Sequence, residues 1–93
     1  MTGQPRPMLA RAAGVAENRM EDDLFLVHPA TAEITHLDPM AAGLWNALAE
    51  PATADDLTAL FAAAFPDTDP ETVAADVQRA LAELRSAGLI VPL

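Results

Sequence analysis

The side chains that could perform chemistry are few and widely separated in this sequence. It has two histidines, His28 and His36, one serine, Ser86, and no cysteine, lysine or tyrosine. A metal site needs a third ligand at a defined spacing, and although Glu33 or Asp38 could supply one, no HxH or HExxH pattern exists. Ser86 has no base predicted beside it, so we do not expect a nucleophile. We predict no enzymatic activity, no metal and no cofactor, and interpret the histidines as surface or groove-lining side chains.

The net charge excludes a further class of function. The 93 residues carry a formal charge of −9, and residues 20–93 alone hold two arginines and thirteen acidic residues, which gives −11. Binding to nucleic acid requires cations that displace counterions from phosphate, so we expect no DNA or RNA partner. The sequence shows no signal peptide and no apolar run of membrane-spanning length. We therefore predict a cytoplasmic protein without a membrane partner.

Three short strand patterns come first along the chain. Residues 15–20, 24–28 and 33–37 contain strand-forming or alternating residues, and the turn sequences EDD and PATA separate them. This arrangement predicts a three-stranded antiparallel meander. Residues 1–13 hold prolines and a glycine, and we interpret them as a flexible N-terminal tail. Residues 14–93 then form a single domain.

Three helices are predicted after the strands. Asp38 can accept a hydrogen bond from a backbone N–H at the start of the first helix, and Pro39 suits its first position. The same Asp-Pro pair recurs at 69–70, before the third helix. Thr53 opens the second helix with an acidic residue three positions later, and Gly88 is placed to end the third. The order β-β-β-α-α-α predicts a winged-helix-like α+β domain, with a three-stranded antiparallel sheet followed by three helices.

The third predicted strand, 33–37, has one edge without a predicted partner. Natural proteins usually protect such edges with charge, proline or a covering element, but only Glu33 is charged in this strand. An extended peptide could add there as a fourth strand, with main-chain hydrogen bonds for affinity and side-chain pockets for specificity. Alternatively, the protein's own tail or a second copy could cover the edge. Both a monomer and a homodimer fit the sequence.

Three stretches of sequence, taken in order, are similar to a known family. They are LFLVHPATAEITHLDPMAAGLW, TADDLTALFAAAFPD and VAADVQRALAELRSAGLIV. Together they resemble the PqqD family, also called the RiPP precursor peptide recognition element, over about residues 14–91. The resemblance implies a winged-helix-like fold and a non-catalytic peptide chaperone. Such a protein binds the leader of a ribosomally synthesised precursor peptide between the third strand and the third helix. It presents the leader to a maturation enzyme such as a radical SAM protein, a protease or a cyclase.

The resemblance also implies which residues would bind the peptide. Asp76 matches a recurrent aspartate of the family and is expected to contact the leader. At 100° per residue, Asp76, Ala80 and Glu83 fall on one flank of the third helix together with Ala87. Many members have a bulky apolar residue in place of Ala80, which implies either a roomier pocket here or repacking by Leu81. The predicted site comprises Glu33, Ile34, Thr35, His36 and Leu37 on the strand and Asp76, Val77, Ala80 and Glu83 on the helix.

The turn between the second and third predicted strands departs from one branch of the family. Residues 28–31 read His-Pro-Ala-Thr, where the protein of the pyrroloquinoline quinone pathway usually reads Tyr-Pro-Glu-Gly. This difference favours a stand-alone recognition element of another peptide pathway. Two other functions stay as alternatives: an interaction or dimerisation module, and a winged-helix transcriptional regulator, which the negative charge disfavours.

Overall fold

Six strands and three helices follow one another in the computed structural model, which describes residues 8–93. In chain order they are β1 (Met8–Arg11), β2 (Ala16–Met20), β3 (Asp23–Val27), β4 (Ile34–Leu37), α1 (Pro39–Ala47), β5 (Ala52–Thr53), α2 (Ala54–Ala64), α3 (Pro70–Ser86) and β6 (Ile90–Pro92). The strands form two antiparallel sheets, ordered β2-β3-β4 and β5-β1-β6. None of the helices in this part of the chain is long and apolar enough to span a membrane.

The sheet β2-β3-β4 and the three helices after it confirm the predicted α+β order. Each strand of this sheet lies within one residue of its predicted bounds. Side chains alternate between the two faces of a sheet, so Leu24, Leu26 and Leu37 point towards the helices and are at most 5% exposed. The opposite face carries no helix, and Ile34 on that face is 69% exposed.

All three helices begin at the predicted capping residues. Asp38 and Asp69 each accept a backbone N–H of the first helical turn, at 2.8 and 2.9 Å. Thr53 and Asp56 form a reciprocal capping box. Gly88 follows the end of α3 with a φ of +73°, a conformation in which a residue with a Cβ is strained. These local interactions fix where each helix starts and where α3 ends.

The hydrophobic core lies between the inner face of the β2-β3-β4 sheet, which has the longer strands and is called the larger sheet below, and one stripe of α3. The stripe follows helical spacing of three and four residues and consists of Val73, Val77, Ala80, Leu81 and Leu84. Trp45 and Leu44 of α1 and Leu57 of α2 are also buried in this core. Because only one side of α3 is apolar, the helix buries that side and leaves the other to solvent.

The second sheet differs from the prediction and corrects the domain boundary. The sequence predicts a flexible tail over residues 1–13, but Met8–Arg11 form the central strand of this sheet. β1 pairs with β5 at Leu9↔Ala52 and with β6 at Leu9↔Pro92. Residues 1–7 of the predicted tail lie outside the described residues. A strand of four residues whose partners lie some 40 and 80 positions away leaves no local periodicity to detect.

Arg11 fixes β1 to the first helix. Its guanidinium donates two hydrogen bonds to the backbone carbonyl of Trp45, at 2.7 and 3.1 Å. The guanidinium carbon also lies 4.4 Å from the centre of the Trp45 ring, within the range of a cation–π interaction. β1 therefore belongs to the folded domain.

We expect Leu9→Ala to destabilise the protein by about 2–4 kcal/mol, because Leu9 is 5% exposed and its removal leaves a cavity. Met8→Ala on the same strand is the matched control, since Met8 is 38% exposed, and it should cost less than about 1 kcal/mol. Urea denaturation followed by circular dichroism measures both. Equal effects of the two variants would show that β1 is not part of the cooperative fold.

Candidate functional site

A groove of about 570 Å³ lies between the start of β4 and the C-terminal half of α3. Its strand-side wall is formed by His28, Glu33, Ile34 and Thr35. Its helix-side wall is formed by Arg79, Ala82, Glu83, Ser86 and Ala87. The helix residues recur every three or four positions, so they form one flank of α3 beside its buried stripe.

Three of the five helix side chains that line the groove are short, which helps to keep it open. Ala82, Ser86 and Ala87 present a methyl or hydroxymethyl group, which cannot extend across to β4. The buried stripe of α3 meanwhile holds the helix axis in place against the core. The gap between helix flank and strand is therefore large enough for the side chains of a ligand.

His28, which lines the groove, packs against Gly88 at the end of α3. A Cβ added at Gly88 would lie 3.0 Å from Nε2 of His28 and 3.4 Å from its Cδ2. The backbone N–H of Ala30 donates to Nδ1 of the imidazole at 3.1 Å and helps to hold the ring in this position. A side chain at residue 88 would have to displace the ring slightly, so glycine suits both the left-handed turn and this contact.

Within residues 8–93 the outer edge of β4 has no strand partner, so another strand can pair with it. The backbone N–H of His28 donates to the carbonyl of Glu33 at 3.0 Å, and the same register continues along β3 and β4. Hydrogen-bonded pairs alternate with non-bonded pairs in antiparallel strands, so Thr35 directs its amide groups towards β3. Ile34 and His36 therefore direct theirs to the free edge beside the groove.

The other sheet edges in the described part of the chain are protected. On β2, Glu17 forms ion pairs with Arg11 and Arg19, at 3.4 and 3.5 Å. β5 has only two residues, and β6 ends in Pro92. Short, charged or proline-containing edges disfavour strand addition. β4 is thus the edge best suited to accept another strand.

Four of the nine residues predicted from sequence line the groove. They are Glu33, Ile34, Thr35 and Glu83, and their contact with a peptide stays a prediction. Leu37, Val77 and Ala80 do not line it, since each is at most 7% exposed in the core.

Two of the four residues predicted on one flank of α3, Glu83 and Ala87, line the groove. Ala80 does not, because it is buried beside Leu81 in the core. Arg79, Ala82 and Ser86 line the groove in addition. The helical spacing of Ala82, Ser86 and Ala87 can be seen in the sequence, but it does not indicate which polar flank of α3 faces β4. The sequence analysis gave groove lining as one interpretation of His28, but its contact with Gly88 joins residues 60 positions apart and left no local signal.

The two remaining predicted residues lie beside the groove. The ring of His36 lies on the outer face of the sheet, with Nε2 at 3.1 Å from Oδ1 of Asp23 and its centre 5.0 Å from that of Phe25. Asp76 lies one turn before the lining residues and accepts a hydrogen bond from Arg79 at 3.1 Å. Within residues 8–93, no three histidine or acidic side chains come together as ligands for a metal ion.

Comparisons with known proteins agree with this fold. The sequence model of the family described as Coenzyme PQQ synthesis protein D (PqqD) matches residues 23–90. The search of curated proteins gave no match.

Two solved structures are similar in fold. One is TbiB1 in complex with the TbiA(beta) leader peptide, with a TM-score of 0.75 and 22% identity over 87% of this chain and 93% of that chain. The other is the PqqD truncation of Methylobacterium extorquens PqqCD, described as a functional and stand-alone RiPP recognition element. Its TM-score is 0.70, with 20% identity over 90% of this chain and 88% of that chain.

Gly88→Ala should destabilise the protein by about 1–3 kcal/mol, because it combines a left-handed conformation with a contact to His28. The double variant His28→Ala/Gly88→Ala separates the two causes. Because the double variant no longer has the contact, its loss of unfolding free energy should be smaller than the sum of the two single losses by more than about 0.5 kcal/mol. Chemical denaturation of the four proteins completes the cycle. Strict additivity would show that the imidazole does not restrict this position.

Proposed function

The chain belongs to the PqqD family, and from this premise we propose that it is a non-catalytic peptide chaperone. It binds the leader of a ribosomally synthesised precursor peptide as an added strand on β4, within the groove beside α3. The observation that carries this proposal is the free edge of β4, whose Ile34 and His36 amide groups border a groove of about 570 Å³.

The groove is suited to an extended peptide. A strand added to β4 directs alternate side chains to opposite faces. One set would enter the groove between β4 and α3, and the other would lie near the exposed Ile34 on the outer face. Main-chain hydrogen bonds would give affinity for many sequences, and the groove would select among them.

A maturation enzyme is the second proposed partner. Ser86 and His28 both line the groove, but no hydrogen bond joins them, and the described residues form no group of three metal ligands. The bound peptide would therefore be modified by a separate enzyme, of the radical SAM, protease or cyclase type. The structure in which TbiB1 holds a leader peptide supports the first half of this role by its similar fold. We propose that both partners meet the protein in the cytoplasm, where precursor peptides are synthesised.

The pathway is proposed to differ from pyrroloquinoline quinone synthesis. The turn from His28 to Thr31 departs from the Tyr-Pro-Glu-Gly sequence typical of that pathway, and its first residue, His28, lines the groove. A change at this position alters the surface presented to the peptide.

We expect Ile34→Pro to weaken binding of a fluorescein-labelled leader about tenfold. The leader is that of a precursor peptide identified by sequencing the genes around this one. Proline removes the backbone N–H of Ile34 at the free edge and leaves a peptide carbonyl unpaired, without breaking a bond to β3. Ile34→Val keeps the donor and should bind within about twofold of the parent. Fluorescence anisotropy gives both affinities, and circular dichroism verifies the fold.

Two outcomes would contradict the proposal. Equal affinity of a folded Ile34→Pro variant would mean that the peptide does not pair with β4. A dimer in light scattering that dissociates in Ile34→Pro, but not on addition of the leader, would assign the edge to self-association.

A further inference from the structure

The charges on the two walls of the groove are not balanced. Glu33 stands on the strand side and Glu83 on the helix side. From this arrangement, and on the basis of the proposed function, we infer that the groove selects a peptide with a lysine or arginine side chain positioned between these two carboxylates.

The arginine of the groove already has an acidic partner. Arg79 donates to Oδ1 of Asp76 at 3.1 Å, three residues earlier on the same helix. The charged side chains that line the groove are Arg79, Glu33 and Glu83, with a net charge of −1, and Asp76 beside the groove brings the local charge to −2.

Neither glutamate has a cationic partner among the described residues. The carboxylate of Glu33 accepts only a long hydrogen bond from the hydroxyl of Thr31, at 3.4 Å. The side chain of Glu83 makes no hydrogen bond or ion pair within residues 8–93. Both carboxylates are exposed in the free protein, where water solvates them.

Peptide binding changes the environment of both carboxylates. A strand on β4 would displace water from the groove, and a carboxylate that loses water without a partner is unfavourable. An apolar or acidic peptide side chain between Glu33 and Glu83 does not compensate for the lost solvation of the two carboxylates. A lysine or arginine side chain supplies hydrogen bonds and the opposite charge to both walls.

The small residues of α3 provide room for the stem of such a side chain. Ala82 and Ala87 lie on either side of Glu83 along the helix. The aliphatic part of lysine or arginine can pack on these methyl groups while its charged end remains between the carboxylates.

The test uses a phage library of random dodecapeptides, selected on the immobilised protein and sequenced before and after selection. Parent protein should enrich lysine and arginine over aspartate and glutamate by about fivefold at one position of the aligned peptides, the scale of an exposed charge pair. The charge-reversed variant Glu33→Lys/Glu83→Lys should lose this preference and favour acidic residues at the same position.

A matched control separates the groove from the overall charge. Glu50→Lys/Asp67→Lys changes the net charge by the same amount at two exposed acidic residues away from the groove, and it should keep the preference for basic peptides. The same preference in the groove variant as in the parent, or its loss in the control, would overturn the inference while peptide binding stands. Failure to select any peptide would overturn the proposed function itself.

Discussion

Packing of α3 through one narrow apolar stripe determines both the core and the groove. Val73, Val77, Leu81 and Leu84 hold the helix against the rest of the molecule, and this contact sets the position of the helix axis. The neighbouring flank is then presented to β4 at a distance that alanine and serine cannot span. Because the stripe is buried, the core sets the distance between the axis of α3 and β4, and the short side chains on the flank leave the groove open. A core substitution on α3 can therefore alter a binding surface that it does not touch.

The number of available main-chain bonds limits what β4 can contribute to affinity. Only Ile34 and His36 direct their amide groups to the free edge, which allows about four hydrogen bonds at roughly 1 kcal/mol net each. Association costs at least about 4 kcal/mol in lost freedom of motion, so the edge alone gives no stable complex. Side chains in the groove must supply most of the net binding free energy. Because the strand is short, affinity depends on the side chains of the peptide. Extended peptides of unrelated sequence would bind only weakly through main-chain hydrogen bonds.

The sequence was sufficient for the elements whose signals are local. Asp38, Thr53, Asp69 and Gly88 act on residues within one helical turn, so their capping roles could be predicted. The strands of the larger sheet follow one another directly and are joined by short turns, so the sequence pattern was enough to predict them. β1 and β6 pair although they lie near opposite ends of the sequence, and a local sequence pattern cannot indicate so distant a partner.

The site was only partly predictable for a related physical reason. The strand side, Glu33 to Thr35, follows from strand order alone, whereas the helix side depends on the rotation of α3 about its axis. An apolar stripe defines that rotation only to within about one residue, or 100°. As a result, Ala80 was predicted at the groove although it is buried, whereas Arg79 lines the groove. The contact between His28 and Gly88 is a property of the packed structure, and it could be found only there.

The small sheet has a consequence for how this domain can be joined to others. The backbone N–H of Leu93 donates to the carbonyl of Met8 at 2.8 Å, so the two ends of the described chain lie side by side. A second protein fused ahead of Met8 or after Leu93 would begin from nearly the same point in space. A domain attached next to Met8 and one attached next to Leu93 would therefore lie on the same side of the molecule.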